Sequence, residues 1–318
     1  AQDIIKVKIY SVAELRIIIN MKEMKILALA LLMMVSAGSV MAQKTAKASK
    51  KHAKTMVKKV TTQTAQKADF IIEGSKGKLA ATVQTPAMEV GAKVPMVIIM
   101  HGFTSNKDIS MLTSLADSLQ KRGIASIRFD FNGHGKSEGN FSDMTVPNEI
   151  EDAKAVIAYA KTLPYVGKIG VMGHSQGGVV ASMVAGELGT GSIDAVALAA
   201  AAAVLREDAI RGNTQGAQYD PLDPPATVQV RPDYAIGRKY IQTAQSLQIY
   251  QTAQKYQGPA IIVHGTGDRV VPWSYAERYH EIWPSSDLEY IKGADHGFTK
   301  NQDEEVGLIA NFMAKTLK

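Results

Sequence analysis

Short apolar runs alternate with amphipathic stretches along most of the chain from residue 95 onward. The runs have the length of buried strands, and the stretches between them place apolar side chains at the three- and four-residue spacing of helices. This alternation is typical of a mainly parallel sheet with helices on both faces, an α/β fold. The predicted strands are 95–100, 124–129, 169–172, 193–199, 260–264 and 287–291. The predicted helices are 109–121, 148–162, 178–185, 273–282 and 302–316.

Two segments depart from this alternation. Residues 69–73 and 78–84 flank a Gly-Ser-Lys-Gly turn and predict a β-hairpin at the start of the domain. The stretch 204–257 is too long for a loop in a compact domain, so we expect it to form a small inserted cap. The folded domain is therefore predicted to span 68–318.

The segments before residue 68 have a different character. Residues 1–20 precede the first methionine and are interpreted as non-native upstream sequence. Residues 21–42 predict a signal peptide, because lysines precede a short apolar run that ends in small residues before Gln43. Residues 43–67 carry eight lysines and no acid, which predicts a disordered basic tether. We expect a secreted or periplasmic protein without a stable membrane anchor, because the chain has no cysteine for a lipid.

Charge and composition exclude several classes of function. The net charge is +6, but residues 1–67 alone hold thirteen basic residues against three acids, which leaves −4 for residues 68–318. A mildly acidic domain does not predict a nucleic-acid partner. The lack of cysteine excludes disulfides, thiol catalysis and thiolate metal sites.

The strongest local motif is Gly173-His174-Ser175-Gln176-Gly177, between a predicted strand and a predicted helix. Gly-x-Ser-x-Gly in this position is the pattern of a nucleophile elbow, in which a strained turn presents the serine at the end of the sheet. Glycines are needed because larger side chains would collide with the neighbouring strand and helix. The alternative is a glycine-rich turn that holds an ordinary serine.

A nucleophilic serine needs a general base and a carboxylate that orients the base. His296 follows the last predicted strand and Asp268 follows the strand before it, in the order Ser, Asp, His. We therefore predict a triad of Ser175, Asp268 and His296. Asp295 is the rival acid, but it adjoins the histidine and could hardly reach around to its ring.

The predicted strand ends also supply two main-chain donors for an oxyanion hole, the N–H groups of Phe103 and Gln176. No cluster of side chains has the spacing of metal ligands, and no loop matches a phosphate cradle or dinucleotide fingerprint. The sequence therefore implies neither a metal nor another cofactor.

From about residue 68 onward the chain resembles the bacterial feruloyl (cinnamoyl) esterases of the α/β-hydrolase superfamily. The segments that carry the resemblance are HGFTSNKD (101–108), RFDFNGHGKSEG (128–139), GHSQGG (173–178), DAIRGNTQG (208–216), IVHGTGDRVVP (262–272) and GADHGF (293–298). The resemblance implies an α/β-hydrolase fold and a cap that grips a phenolic ring. It also implies that Asp208, Gln215 and Tyr240 meet the ring hydroxyl, with Phe103 and Gln176 as oxyanion donors.

Three hypotheses follow. The first is a secreted serine carboxylesterase that releases ferulate or p-coumarate from ester-linked plant polysaccharide. Its substrate would be a small-molecule or oligosaccharide ester. The second is a serine peptidase, or a general short-chain or acetyl esterase, of the same fold. The third is a non-catalytic protein on this fold, which an intact triad argues against. The oligomeric state is left open.

Overall fold

The computed structural model describes residues 61–318, and these form one α/β domain. Its centre is an eight-stranded sheet in the order β1-β2-β4-β3-β5-β6-β7-β8, in which β2 alone runs opposite to the other seven strands. The strands are β1 (Gln66–Glu73), β2 (Lys78–Thr85), β3 (Val94–Met100), β4 (Ala125–Phe129), β5 (Val166–His174), β6 (Ala195–Ala199), β7 (Ala260–Gly265) and β8 (Asp287–Ile291). This is the α/β-hydrolase fold that the sequence predicts.

Eight α-helices occur in the described part of the chain. They are α1 (Ser110–Lys121), α2 (Val146–Thr162), α3 (Gln176–Leu188), α4 (Leu205–Arg211), α5 (Arg238–Ser246), α6 (Ile249–Ala253), α7 (Ser274–Ile282) and α8 (Gln302–Leu317). None of them is both long enough and apolar enough to cross a membrane.

The sheet separates two apolar cores because successive strand residues point to opposite faces. In β3, Ile98 belongs to the core that α2, α3 and α7 cover, and Ile99 belongs to the core under α1 and α8. Both side chains are fully buried. The carboxyl ends of the parallel strands lie together along one side of the sheet. A ligand site is expected there.

The insertion between β6 and β7 has α4 as its first element. After α4 it forms a short hairpin (Asn213–Thr214 with Ala217–Gln218), a longer hairpin (Thr227–Arg231 with Tyr234–Gly237) and α5. The last part of the insertion does not belong to the cap that was predicted at 204–257, because α6 packs on the body of the domain. A side chain at Gly186 of α3 would overlap the carbonyl oxygen of Thr252 in α6. We call residues 204–246 the cap.

The domain also starts earlier than predicted. Thr62–Gln63 pairs with Met88–Glu89, and β1 begins at Gln66 rather than after residue 67. The first four residues of β1 are exposed, so this part of the strand has no apolar face that a sequence pattern could reveal. The predicted segments 1–20 and 21–42, and the tether up to residue 60, lie outside the described residues.

Glu305, in the first turn of α8, is a buried carboxyl that no predicted feature anticipates. Its side chain is fully buried, and neither carboxylate oxygen has a hydrogen-bond partner among the described residues. Burial raises its pKa to about 8. Glu305 is therefore protonated in the folded protein at neutral pH, when an exposed glutamate would be ionised.

We expect the Glu305→Gln variant to be more stable than the wild type at neutral pH. The unfolded chain ionises this carboxyl near pH 4.5, and the folded protein only near pH 8. Between these values the unfolded state binds fewer protons, so the free energy of unfolding falls as pH rises. Glutamine removes this penalty, so its advantage should grow from pH 4.5 upward. Urea unfolding at several pH values measures it.

Glu304→Gln is the matched control for this stability measurement. Glu304 is the exposed neighbour in the same helix turn, so its neutralisation should leave the slope of stability against pH nearly unchanged. An advantage of Glu305→Gln that is equal at all pH values would contradict the interpretation.

Candidate active site

Ser175 lies in a strained turn between β5 and α3. Its φ of 56° and ψ of −123° fall in a region that non-glycine residues rarely adopt. A Cβ at Gly173 would overlap the carbonyl oxygen of Gly177, and a Cβ at Gly177 would overlap that of His101. Both glycines are thus required for the steric reason inferred from the sequence, and they allow the turn to hold Ser175 at the edge of the sheet.

Ser175, His296 and Asp268 form one hydrogen-bonded chain across three loops. The Oγ atom of Ser175 lies 2.9 Å from Nε2 of His296, and Nδ1 of His296 lies 2.8 Å from Oδ2 of Asp268. Because a carboxylate only accepts hydrogen bonds, Nδ1 carries the ring proton and Nε2 accepts from the serine hydroxyl. This geometry allows His296 to take the proton of Ser175 as the oxygen attacks an electrophile.

Asp268 is held as a buried carboxylate. Its Oδ1 atom accepts hydrogen bonds from the N–H groups of Val270 (2.8 Å) and Val271 (2.9 Å). Burial alone would raise the pKa of Asp268, but the close approach of His264 and hydrogen bonds from His296 and Val271 outweigh it and hold the pKa well below its usual range. The negative charge that orients His296 is therefore present throughout the neutral pH range.

Asp295, the rival acid, points away from this chain. Its Oδ1 atom accepts a hydrogen bond of 2.8 Å from the N–H of Thr299, and the residue is exposed. It caps the turn before α8. The structure thus brings His296 together with Asp268 and not with Asp295.

The two predicted oxyanion donors lie beside Ser175. Phe103 and Gln176 both line the space in front of Ser175. Gln176 is the first residue of α3, so its N–H has no acceptor within the helix. The positive end of the helix dipole also points to this place, which favours negative charge that develops near Ser175.

Two cavities have Ser175 in their lining. The inner chamber lies between Ser175 and the cap, and it is lined by all three cap residues predicted from the sequence, Asp208, Gln215 and Tyr240. The outer cleft has a volume of about 250 Å³ and opens beside His296. The inner chamber has only about 30 Å³. A cavity that holds benzene has about 150 Å³, so an aromatic ring enters the chamber only when the surrounding side chains move apart.

A buried hydrogen-bond chain joins the cap to Gln176, the residue after Ser175. The hydroxyl of Tyr240 donates to Oε1 of Gln176 (2.8 Å), and Nε2 of Gln176 donates to Oε2 of Glu149 (2.9 Å). Burial raises the pKa of Glu149 well above its usual range. The hydroxyl of Tyr240 thus uses its proton in the hydrogen bond to Gln176. The hydroxyl oxygen of Tyr240 can still accept a hydrogen bond from a ligand.

Three residues near the site were not identified from the sequence: Glu149, His264 and Arg231. Glu149 lies one turn after Val146 on the buried face of α2. A charged residue within this apolar stripe was a sequence signal that could have identified Glu149. His264 donates through Nε2 to the carbonyl of Val271 (3.0 Å) and lies 3.3 Å from Oδ2 of Asp268. Arg231 lines the outer cleft. No local pattern indicates either contact.

Comparison with known proteins supports an ester hydrolase. The family described as serine aminopeptidase, S33 matches residues 91–219. The palmitoyl-protein thioesterase ABHD10 of Mus musculus is 24% identical over 217 residues, which are 66% of this chain and 72% of that protein. The quorum-quenching protein AidA of Acinetobacter baumannii is 30% identical over 113 residues, 35% of this chain and 36% of that protein.

A solved structure is similar over most of the described domain. Est1E from Butyrivibrio proteoclasticus, solved with ferulic acid bound, is 29% identical, with a TM-score of 0.74 over 78% of this chain and 98% of that chain. The family match indicates a serine hydrolase, and the similarity to Est1E supports an esterase among the enzymes of this fold. The chain is therefore a carboxylic ester hydrolase with the α/β-hydrolase fold.

Proposed function

We propose that this enzyme is a secreted or periplasmic serine carboxylesterase that releases hydroxycinnamic acids, such as ferulate and p-coumarate, from esters of plant polysaccharide. The observation that carries the proposal is the inner chamber, in which a carboxylate from the cap faces the same space as Ser175. The ferulic acid bound to the similar Est1E supports the choice of acyl group.

The reaction would proceed by two acyl transfers. Ser175 attacks the ester carbonyl while Nε2 of His296 takes its proton, and the N–H groups of Phe103 and Gln176 stabilise the oxyanion. His296 then donates that proton to the leaving alcohol. Water attacks the acyl-enzyme by the same route and releases the acid.

The linings of the two cavities support a proposal for where each half of the ester binds. His296 lines the outer cleft and is absent from the lining of the inner chamber. Because His296 must reach the alkoxide that leaves, the alcohol occupies the outer cleft and the acyl group the inner chamber.

The groups that line the chamber suit a hydroxylated aromatic acyl group, once the side chains move apart to admit it. The carboxylate of Asp208 is about half-buried and accepts no side-chain hydrogen bond from the described residues, and burial raises its pKa. A phenolic hydroxyl of the substrate can donate a hydrogen bond to this carboxylate. It receives no hydrogen bond from Tyr240, because the Tyr240 hydroxyl already donates to Gln176. The ring of Phe103 lies 5.8 Å from that of Tyr240 and 5.4 Å from that of Phe141, which provides an aromatic wall.

We expect Asp208→Ala to lose the preference for hydroxylated cinnamates. The wild type should hydrolyse methyl ferulate and methyl p-coumarate faster than methyl cinnamate, because only the first two have a ring hydroxyl for Asp208. A hydrogen bond to a charged group contributes about 1.5–3 kcal/mol, so the ratio of kcat/KM should fall about tenfold or more. Initial rates on the three esters measure this ratio, and p-nitrophenyl acetate reports on the triad separately.

Glu207→Ala is the matched control, because Glu207 is the neighbouring acid of α4 and pairs with Arg278 rather than lining the chamber. It should keep the ratio of the wild type. If p-nitrophenyl acetate is the only good substrate of all three proteins, the hydroxycinnamate assignment is wrong and a general short-chain esterase remains.

A further inference from the structure

The outer cleft holds one fixed positive charge. It is lined by the oxyanion loop (Gly102 to Ser105), by Ser175 and His296, and by Arg231 of the cap. Arg231 ends the strand Thr227–Arg231 and is exposed. No aspartate or glutamate lines this cleft. A substrate group in the cleft therefore meets a guanidinium that no acid in the lining neutralises.

The guanidinium is also largely free to bind a ligand. Among the described residues, no carboxylate lies within ion-pair distance of Arg231, and its one side-chain hydrogen bond runs from Nη2 to Oε1 of Gln215 at 3.4 Å. Arg238, on the same cap, is instead paired with Asp223 at 3.1 Å. Arginine presents five N–H donors in a planar fork that matches a carboxylate, and most of this fork is unused here.

Gln215 places this charge at the junction of the two cavities. Gln215 lines both the inner chamber and the outer cleft, and its left-handed φ of 54° is unusual for a residue with a side chain. The amide oxygen of Gln215 accepts a hydrogen bond from Arg231. The guanidinium therefore lies next to the point where the acyl group and the alcohol of the substrate would meet.

We propose that Arg231 binds a carboxylate carried by the alcohol half of the substrate, so that the preferred esters are those of hydroxy acids, including uronic acids. The inference rests on the proposed acyl transfer, because it is the role of His296 that assigns the alcohol to the outer cleft. It concerns the alcohol alone and is independent of the nature of the acyl group.

The test uses two esters of ferulic acid that are nearly equal in size and differ in the charge of the alcohol. One is the ester of glycolic acid, which carries a carboxylate on the alcohol, and the other is the ester of glycolamide, which is neutral and of equal size. We expect the wild type to show a higher kcat/KM for the glycolic acid ester by about threefold to tenfold, as for a partly exposed ion pair. The preference should arise in KM and shrink between about 0.02 M and 0.5 M salt, because ions screen exposed charges.

Arg231→Gln should reduce the ratio of the two esters to about one, and Arg231→Lys should retain part of it, because lysine keeps the charge and loses the fork. Lys239→Gln is the charge-matched control. Lys239 lies on the same cap but lines a separate surface cleft with Arg238, so its loss should leave the ratio unchanged.

Three outcomes would overturn the proposal: no preference in the wild type, a preference that survives in Arg231→Gln, or an equal loss in Lys239→Gln. The same pair made with acetic acid separates this inference from the proposed function. If the acetyl pair shows the charge preference while ferulate esters are poor substrates, the hydroxycinnamate assignment falls and the role of Arg231 stands.

Discussion

Ser175→Ala should lose at least about 10³-fold in kcat on every ester that the wild type hydrolyses, because nucleophile and base act as a unit. The variant should fold normally. The strained backbone at Ser175 is set by the glycines around it, and alanine removes one hydroxyl from a turn that stays otherwise unchanged. Initial rates on p-nitrophenyl acetate and methyl ferulate, with thermal unfolding of the same samples, measure both parts of this expectation.

Ser182→Ala is the control for the loss of a hydroxyl from the same helix. Ser182 lies two turns further along α3, is fully buried and bonds to the carbonyl of Val179 and the hydroxyl of Tyr279. It should keep its turnover and should still react with a serine-directed fluorophosphonate, which Ser175→Ala should not. Undiminished turnover of pure Ser175→Ala protein would remove the nucleophile assignment and, with it, the proposed mechanism.

The sequence predicts the body of the fold well because the signals there are local. An apolar run such as 95–100 is buried on both faces of a parallel sheet, and it therefore needs no knowledge of its neighbours to be recognised. The motif around Ser175 is also local, since the two glycines are required by the turn itself. His296 and Asp268 were assigned by their place at strand ends, and the structure brings both side chains into contact there.

The features that the sequence did not predict depend on contacts between distant residues. Glu149 and Gln176 are 27 positions apart, and nothing near either indicates their hydrogen bond. Arg231 reaches the outer cleft only because the cap hairpin folds over the sheet. The start of β1 was missed for a different reason, because an exposed edge strand tolerates polar side chains on both faces.

The hydrogen bonds of Asp268 allow a sharper test than its removal. Two main-chain N–H groups, from Val270 and Val271, point at Oδ1. In Asp268→Asn this position must be filled by the amide oxygen, so the NH₂ group is placed at the position of Oδ2 and faces Nδ1 of His296. Nδ1 must then accept, and the ring proton moves to Nε2, where it faces Ser175.

We expect Asp268→Asn to fold normally and to lose about 10⁴-fold in turnover at neutral pH, because His296 in that tautomer cannot take the proton of Ser175. Asp295→Asn is the control, since Asp295 contacts Thr299 and should keep its activity within a few-fold. Initial rates of both variants across the pH range measure the difference. If Asp295→Asn loses turnover and Asp268→Asn keeps it, the acid that orients His296 is Asp295, and the hydrogen-bonded chain described above is not the catalytic one.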